Sequence, residues 1–191
     1  MKVNIANIPI QLSTDLDYTR YFKWAFSFRD HSNDTSFLQL DFQKDSSLVV
    51  HGEKIYKEGN IYWYRNTNAH EIVLHDKESN ERLGLLYADK QWQSITIKET
   101  TEASSSIIRL LTEMAFRNFI LLYRGFGMHG SAINYQGNGI VFSAPSGTGK
   151  STQAGLWEKH KDAEIFVEDR TTIRMIDGGV KIFGTPWSGT P

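Results

Sequence analysis

The sequence predicts an α/β core in the last third of the chain and an α+β fold overall, with an antiparallel β-rich domain in front of the core. Three observations predict this arrangement. In residues 1–104, short segments of alternating apolar and polar residues are separated by polar turns. From residue 105 the apolar residues recur at helical spacing. After residue 126 a strand, a glycine-rich loop and a helix follow each other. The predicted domains are therefore residues 1–104, a linking helix at 105–125, and a core at 126–191.

The composition excludes several classes of protein. Hydrophobic residues make up 40% of the 191 residues, which is enough to close a core and argues against intrinsic disorder. The absence of cysteine excludes a disulfide framework, a zinc ribbon and a thiol nucleophile. A net charge of −1 gives no overall field that attracts nucleic acid. No segment has the pattern of a signal peptide or a membrane span, so we expect a cytoplasmic protein with no membrane partner.

The first domain is predicted to be a meander of short strands. The strands are expected at residues 3–11, 37–42, 48–51, 54–56, 61–65, 71–75, 82–87 and 92–97. The connectors at 57–60 and 76–80 are polar and turn-like, so successive strands should reverse direction. Residues 18–26 fit neither period and predict no element.

A helix is predicted from residue 105 to residue 125, with Ser105 as N-cap and Gly125 as stop. Its apolar stripe consists of Ile107, Ile108, Leu111, Met114, Ala115, Phe119 and Leu122. Glu113 and Arg117 lie four residues apart and are placed on the opposite, solvated face. Two strands, 131–135 and 139–143, then form a hairpin around Gln136-Gly137-Asn138.

The strongest chemical signal directly follows this hairpin and opens the next predicted helix. The segment reads Ala144-Pro145-Ser146-Gly147-Thr148-Gly149-Lys150-Ser151-Thr152, which is a Walker A loop. Its two glycines let successive backbone N–H groups converge on phosphate oxygens at the start of a helix. The lysine is expected to reach the β- and γ-phosphates, and the serine that follows it is expected to offer its hydroxyl to Mg²⁺. Thr152 and the helix through Leu156 and Trp157 are expected to dock the loop on the core.

An acidic pair and a histidine complete the candidate site. Glu168 and Asp169 end the predicted strand at 164–167, and Asp169 lies only 19 residues after Lys150, so one helix and one strand return the chain to the loop. Phosphoryl transfer needs a carboxylate for the metal and a group that positions the attacking oxygen. His129 enters the hairpin that delivers the loop, although a lone histidine is more often structural. The other five histidines show no metal-ligand spacing.

Together, His129-Gly130, the loop at 144–152 and Glu168-Asp169-Arg170 resemble the HPr serine kinase/phosphorylase family, whose P-loop core is shared with ATP-dependent phosphoenolpyruvate carboxykinases. The resemblance covers about residues 126–191. It implies that Lys150 and Ser151 bind the triphosphate of ATP and Mg²⁺, and that Asp169 is the metal-side carboxylate. It also implies that Glu168 is the catalytic base and that His129 lies near the transferred phosphate.

The chain departs from the family in its acidic pair and in residues 1–104, which are unlike the family's amino-terminal domain. The family usually has two aspartates where this chain has Glu168-Asp169, so the reach of the base differs by one methylene. Residues 183–191 resemble the substrate-side loop of stand-alone relatives, and the chain stops there, so we expect a truncated core that lacks a second catalytic loop.

The leading hypothesis is ATP-dependent phosphoryl transfer to a serine hydroxyl of a protein or peptide, and a homo-oligomer is possible. One alternative is a small-molecule kinase or carboxykinase-like enzyme, because a shared phosphate loop does not fix the acceptor. Another is a nucleotide-sensing module without turnover, in which Tyr62-Trp63-Tyr64 and Trp92 form a peptide groove. Alternating aromatic residues in strands more often form the core on one face of the sheet and ordinary surface on the other.

Overall fold

The computed structural model describes residues 1–14, 17, 21–33, 35, 38–100 and 105–188. They form a mixed α+β fold in which strands predominate over helices, as the sequence predicts. The chain divides into two compact units, Met1–Phe119 and Ile120–Pro191. None of the helices within the described ranges is long and apolar enough to cross a membrane.

The first unit is built on an eight-stranded sheet. Its elements are β1 (Lys2–Ile5), β2 (Ile8–Thr14), α1 (Lys23–Phe26), β3 (Leu38–Lys44), β4 (Glu53–Glu58), β5 (Ile61–Arg65), β6 (Ala69–His75), β7 (Arg82–Asp89), β8 (Ser94–Glu99) and α2 (Ser105–Phe119). The strand order is β1-β2-β3-β8-β7-β6-β5-β4. Strand β3 runs parallel to both β2 and β8, so the prediction of a purely antiparallel domain is wrong. A parallel pair needs a long crossover, and residues 15–37 between β2 and β3 are long enough to provide one.

Two predicted strands of this unit are corrected. Residues 3–11 form two strands, because the chain reverses at Ala6 and Asn7, whose φ angles are 54° and 57°. Residues 48–51 form no strand. Instead, Leu48 is buried across the face of the sheet against Val73 and Leu85. The remaining predicted strands overlap β3 to β8, although residue 37 lies outside the described residues. The segment 18–26, for which no element was predicted, contains the short helix α1, and its residues 18–20 also lie outside the described residues.

Helix α2 packs on β7 and β8 and belongs to the first compact unit. Gly84 of β7 allows the close approach, because a Cβ atom there would lie 2.8 Å from side-chain atoms of both Ile107 and Leu111. Three details of the predicted helix are wrong: Glu113 is buried, Leu122 is 55% exposed, and Gly125, the predicted stop, is the first residue of a strand. The α-helix ends at Phe119 and a 3₁₀ turn (Ile120–Tyr123) follows it, so the apolar stripe does not continue to Leu122.

The described residues of the second unit form the 3₁₀ turn, two three-stranded sheets and one α-helix. Its elements are β9 (Gly125–His129), β10 (Ser131–Tyr135), β11 (Asn138–Phe142), α3 (Lys150–Lys161), β12 (Glu164–Val167), β13 (Arg170–Ile176) and β14 (Gly179–Phe183). The sheets have the orders β11-β10-β12 and β14-β13-β9. Strands β10 and β12 have the predicted bounds. Both β11 and β12 are antiparallel to β10, so they run in the same direction and their carboxyl ends lie at one edge of the sheet.

Helix α3 covers the sheet formed by β10, β11 and β12. Ala154 is buried with Ile133 of β10, and Trp157 packs against the same cluster. Leu156 is 47% exposed and Thr152 is exposed, so the prediction that these two residues help to dock the loop on the core is wrong. The apolar face of α3 is narrow, which restricts docking to Ala154 and Trp157.

Candidate phosphate-binding site

The loop between β11 and α3 has a backbone that only glycine adopts without strain. Gly147 and Gly149 have φ angles of 79° and 95°, in the left-handed region, and Gly149 is the N-cap of α3. The hydroxyl of Thr148 donates to the carbonyl of Pro145 at 2.7 Å and closes the turn from inside. Because the first N–H groups of a helix have no partner within the helix, the loop presents donors and the positive end of the α3 dipole.

Lys150 is the first residue of α3, and its side chain folds back over the loop. Its Nζ atom donates to the carbonyl oxygens of Ala144 at 2.9 Å and Pro145 at 3.1 Å. An ammonium group has three N–H donors, so these two bonds leave one donor. The charge is therefore held over the loop, where a phosphate group would replace the carbonyl oxygens as acceptor.

The acidic pair follows β12 at the same edge of the sheet as the loop, because β11 and β12 share a direction. Two hydrogen bonds fix its backbone. The Ser131 hydroxyl donates to the Glu168 carbonyl at 2.7 Å, and the Gly130 N–H donates to the Asp169 carbonyl at 2.8 Å. The side chain of Glu168 is exposed.

His129 and Asp169 form a close pair. Strand β9 lies antiparallel to β13 with His129 opposite Arg170, which brings the imidazole beside the preceding residue, Asp169. The distance from His129 Nδ1 to Asp169 Oδ1 is 2.8 Å, and Arg170 Nε lies 3.6 Å from Asp169 Oδ2. The carboxylate accepts from Nδ1, so Nε2 is the ring nitrogen available for another partner.

These residues line one cavity of about 370 Å³. Its walls are His129, Ser146, Gly147, Gly149, Lys150, Ser151, Thr152, Glu168 and Asp169. The structure therefore brings together all of the predicted site residues except Thr148, whose hydroxyl serves the loop itself. A phosphate chain in this cavity would meet a cation, backbone donors, three hydroxyls and two carboxylates.

Sequence analysis did not identify three hydroxyls that support the site. They belong to Ser131, Thr171 and Ser188: the buried Thr171 donates to the Gly130 carbonyl at 2.7 Å, and Ser188 donates to the Arg170 carbonyl at 2.8 Å. The sequence does contain a signal for the strand that carries Thr171. Asp177-Gly178 lies between two apolar runs and is a strong hairpin signal, which would have predicted β13 and β14.

Comparison with models of protein families gives no match to this chain. Comparison with curated proteins also gives no match. The resemblance to the HPr serine kinase/phosphorylase family therefore stays a prediction from the sequence motifs.

Proposed function

We propose that this chain transfers the γ-phosphoryl group of ATP to a serine hydroxyl of a protein or peptide. The observation that carries the proposal is the single cavity that joins the loop and Lys150 to Glu168, Asp169 and His129. A glycine-rich turn alone would explain the loop. It would not explain why the lysine and hydroxyls of the loop and α3 meet two carboxylates that follow β12.

The loop and Lys150 are the proposed phosphate-binding part. Backbone N–H groups at the start of α3 would donate to the phosphate oxygens, and the helix dipole favours the anion there. The Lys150 ammonium would exchange its bonds to Ala144 and Pro145 for bonds to the β- and γ-phosphates. Such charge-assisted bonds are stronger than bonds to neutral carbonyls, which favours the exchange.

Ser151 and Asp169 are the proposed protein ligands of Mg²⁺. Both line the cavity and both offer oxygen, the donor atom that Mg²⁺ prefers. Two protein oxygens suffice, because Mg²⁺ usually keeps several waters and binds substrate phosphates directly. Mg²⁺ bound there would neutralise charge on the phosphates. His129 and Arg170 would hold the Asp169 carboxylate in place through its two oxygens.

Glu168 is the proposed base. Within the described part of the chain its carboxylate has no ion-pair partner, whereas Asp169 contacts both His129 and Arg170. Glu168 would accept the proton of the serine hydroxyl as the serine oxygen bonds to the γ-phosphorus. The bond from that phosphorus to the ADP oxygen breaks in the same transfer, and ADP leaves. Positioning and charge neutralisation carry most of the rate enhancement in such reactions.

The proposal is tested with Glu168→Gln, and Glu164→Gln, an exposed residue of β12, serves as the matched control. Each protein is incubated with Mg²⁺, labelled ATP and a panel of HPr and serine-containing peptides, and the label is located by mass spectrometry. We expect label on serine with the wild type and the control, and none with Glu168→Gln, which should still bind ATP.

Other results would contradict parts of the proposal. Transfer that persists in Glu168→Gln would refute the assignment of the base. Label on a metabolite would favour a small-molecule kinase. ATP binding without transfer to any acceptor would favour the nucleotide-sensing module.

A further inference from the structure

The first unit has a cavity of mixed polarity on the face of its sheet opposite α2. Strand residues alternate between faces, so Leu85 and Tyr87 of β7 lie on the face opposite Gly84, which contacts α2. Thr96 pairs with Tyr87, and Lys98 pairs with Leu85, which places both on the same open face. Residues 45–52, which we name the strap, cross this face between β3 and β4.

The strap is fixed at both ends. Glu71, which is fully buried beneath it, accepts hydrogen bonds from the N–H groups of His51 at 3.1 Å and Gly52 at 2.7 Å. Nδ1 of His51 lies 3.2 Å from the same carboxylate. At the other end, Lys98 Nζ donates to Asp45 Oδ2 at 2.9 Å. A buried carboxylate is costly without partners, so these bonds hold the strap and orient the His51 ring.

A cavity of about 470 Å³ lies beside the strap. Its lining residues are Gln43, Val49, His51, Asn66, Leu85, Tyr87, Thr96 and Lys98. Val49 and Leu85 make one part apolar. Hydrogen-bond donors make the other part polar, among them the Lys98 ammonium and the hydroxyls of Tyr87 and Thr96.

Asn66 adds a donor whose direction is set by the backbone. Its Oδ1 atom accepts the N–H groups of Asn68 and Ala69, both at 2.8 Å. Only an oxygen can accept two N–H groups, so Asn66, which lines the cavity, keeps its Nδ2 donors for another partner. Arg65 lines a neighbouring cavity that shares His51 and Asn66 with this one.

We propose that this cavity binds a carboxylate carried by an apolar body. Lys98 has three N–H donors and uses one in its hydrogen bond to Asp45, so the other two can bind a second anion. Its positive charge and the Asn66 donor lie in the same cavity as the apolar side chains of Val49 and Leu85. One cation already shared with Asp45 suits a singly charged carboxylate better than a phosphate. The free C-terminus of a peptide and a small organic acid both have this chemistry.

The test uses two matched pairs of probes: the peptide Ac-Ala-Ala-Leu with a free C-terminus and its C-terminal amide, and isocaproate and isocaproamide. Amide NMR spectra of the full chain report on the Asn66 side chain and on the backbone of Leu85 and Lys98. We expect the carboxylates to shift these signals and the amides to leave them unchanged. Shifts with the peptide acid alone identify a peptide C-terminus as the ligand, and shifts with isocaproate identify a small acid.

Variants of the charged pair sharpen the test. Lys98→Gln should weaken carboxylate binding about tenfold or more, whereas Lys90→Gln, an exposed lysine, should bind as the wild type does. Asp45→Asn removes the competing anion and should tighten binding several-fold. The spectra themselves show whether each variant is folded. The proposal is overturned if the amides shift the signals as strongly as the acids, if inorganic phosphate shifts them more than the acids, or if Lys98→Gln binds the acids unchanged.

Discussion

Two glycine-to-alanine substitutions in α3 should have opposite effects on stability, because Gly149 at the N-cap has a positive φ and Gly155 in the interior does not. Gly149 lies at the N-cap of α3 with φ 95° and ψ 22°, whereas Gly155 is inside α3 and has no positive φ. We expect Gly149→Ala to destabilise the second unit and to abolish tight ATP binding. We expect Gly155→Ala to stabilise the unit and to leave ATP binding unchanged.

The magnitudes follow from the surroundings of each Cβ atom. At Gly149 the nearest atom to an added Cβ is Thr152 Cβ at 4.0 Å, so no clash contributes and the cost is backbone strain. A non-glycine residue in the left-handed region costs about 1–2 kcal/mol. At Gly155 nothing lies within 4 Å of an added Cβ, and replacing a glycine inside a helix by alanine gains about 0.5–1 kcal/mol. The two variants should therefore differ by about 2 kcal/mol in the free energy of unfolding.

Urea denaturation of fluorotryptophan-labelled protein measures this difference, because Trp157 and Trp187 report on the second unit. Binding of ATP is measured by calorimetry on the same samples. A shift of both midpoints in the same direction would refute the described loop conformation. So would a Gly149→Ala variant that binds ATP as tightly as the wild type.

The remaining predictions concern the first unit. Gly84→Ala should destabilise it by about 1–3 kcal/mol through overpacking against Ile107 and Leu111, and an unchanged urea midpoint would contradict the described packing of α2. Burial, chiefly, lowers the pKa of His70 from its ordinary value of 6.5, and its ring stacks on Trp92. The unfolded chain then binds the proton more tightly, so stability should fall as the pH decreases below 6.5 toward the lowered pKa. His70→Gln should flatten this dependence in urea denaturation, and an unchanged slope would refute the assignment.

The candidate site was predictable from the sequence because its signals are local. The loop at 144–149 directly follows a strand and opens a helix, and two glycines and a lysine at fixed spacing define it. The strand before Glu168 also has its predicted bounds, because an apolar run between polar residues marks it clearly. Local signals of this kind survive folding, since tertiary contacts do not change which residues are neighbours in the chain.

The pairing of distant strands was not predictable in this way. Nothing in the composition of β3 distinguishes parallel neighbours from antiparallel ones, so the mixed character of the large sheet was missed. The reversal at Ala6 and Asn7 was missed because alanine rarely has a positive φ, and the apolar run reads as one strand. Glu113 was placed in solvent by helical periodicity, yet it is buried.

Calorimetric titration of ATP and Mg²⁺ into the wild type, Lys150→Ala and Lys159→Ala tests most directly that the loop and Lys150 form a phosphate site. Lys159 is an exposed lysine in the last turn of the same helix, so it controls for the lost charge. Lys150→Ala removes charge-assisted bonds of about 1.5–3 kcal/mol, which corresponds to a loss of about tenfold to a hundredfold in affinity. We expect this loss with Lys150→Ala and wild-type affinity with Lys159→Ala. An absence of ATP binding to the wild type, or equal affinities of the wild type and Lys150→Ala, would contradict the account.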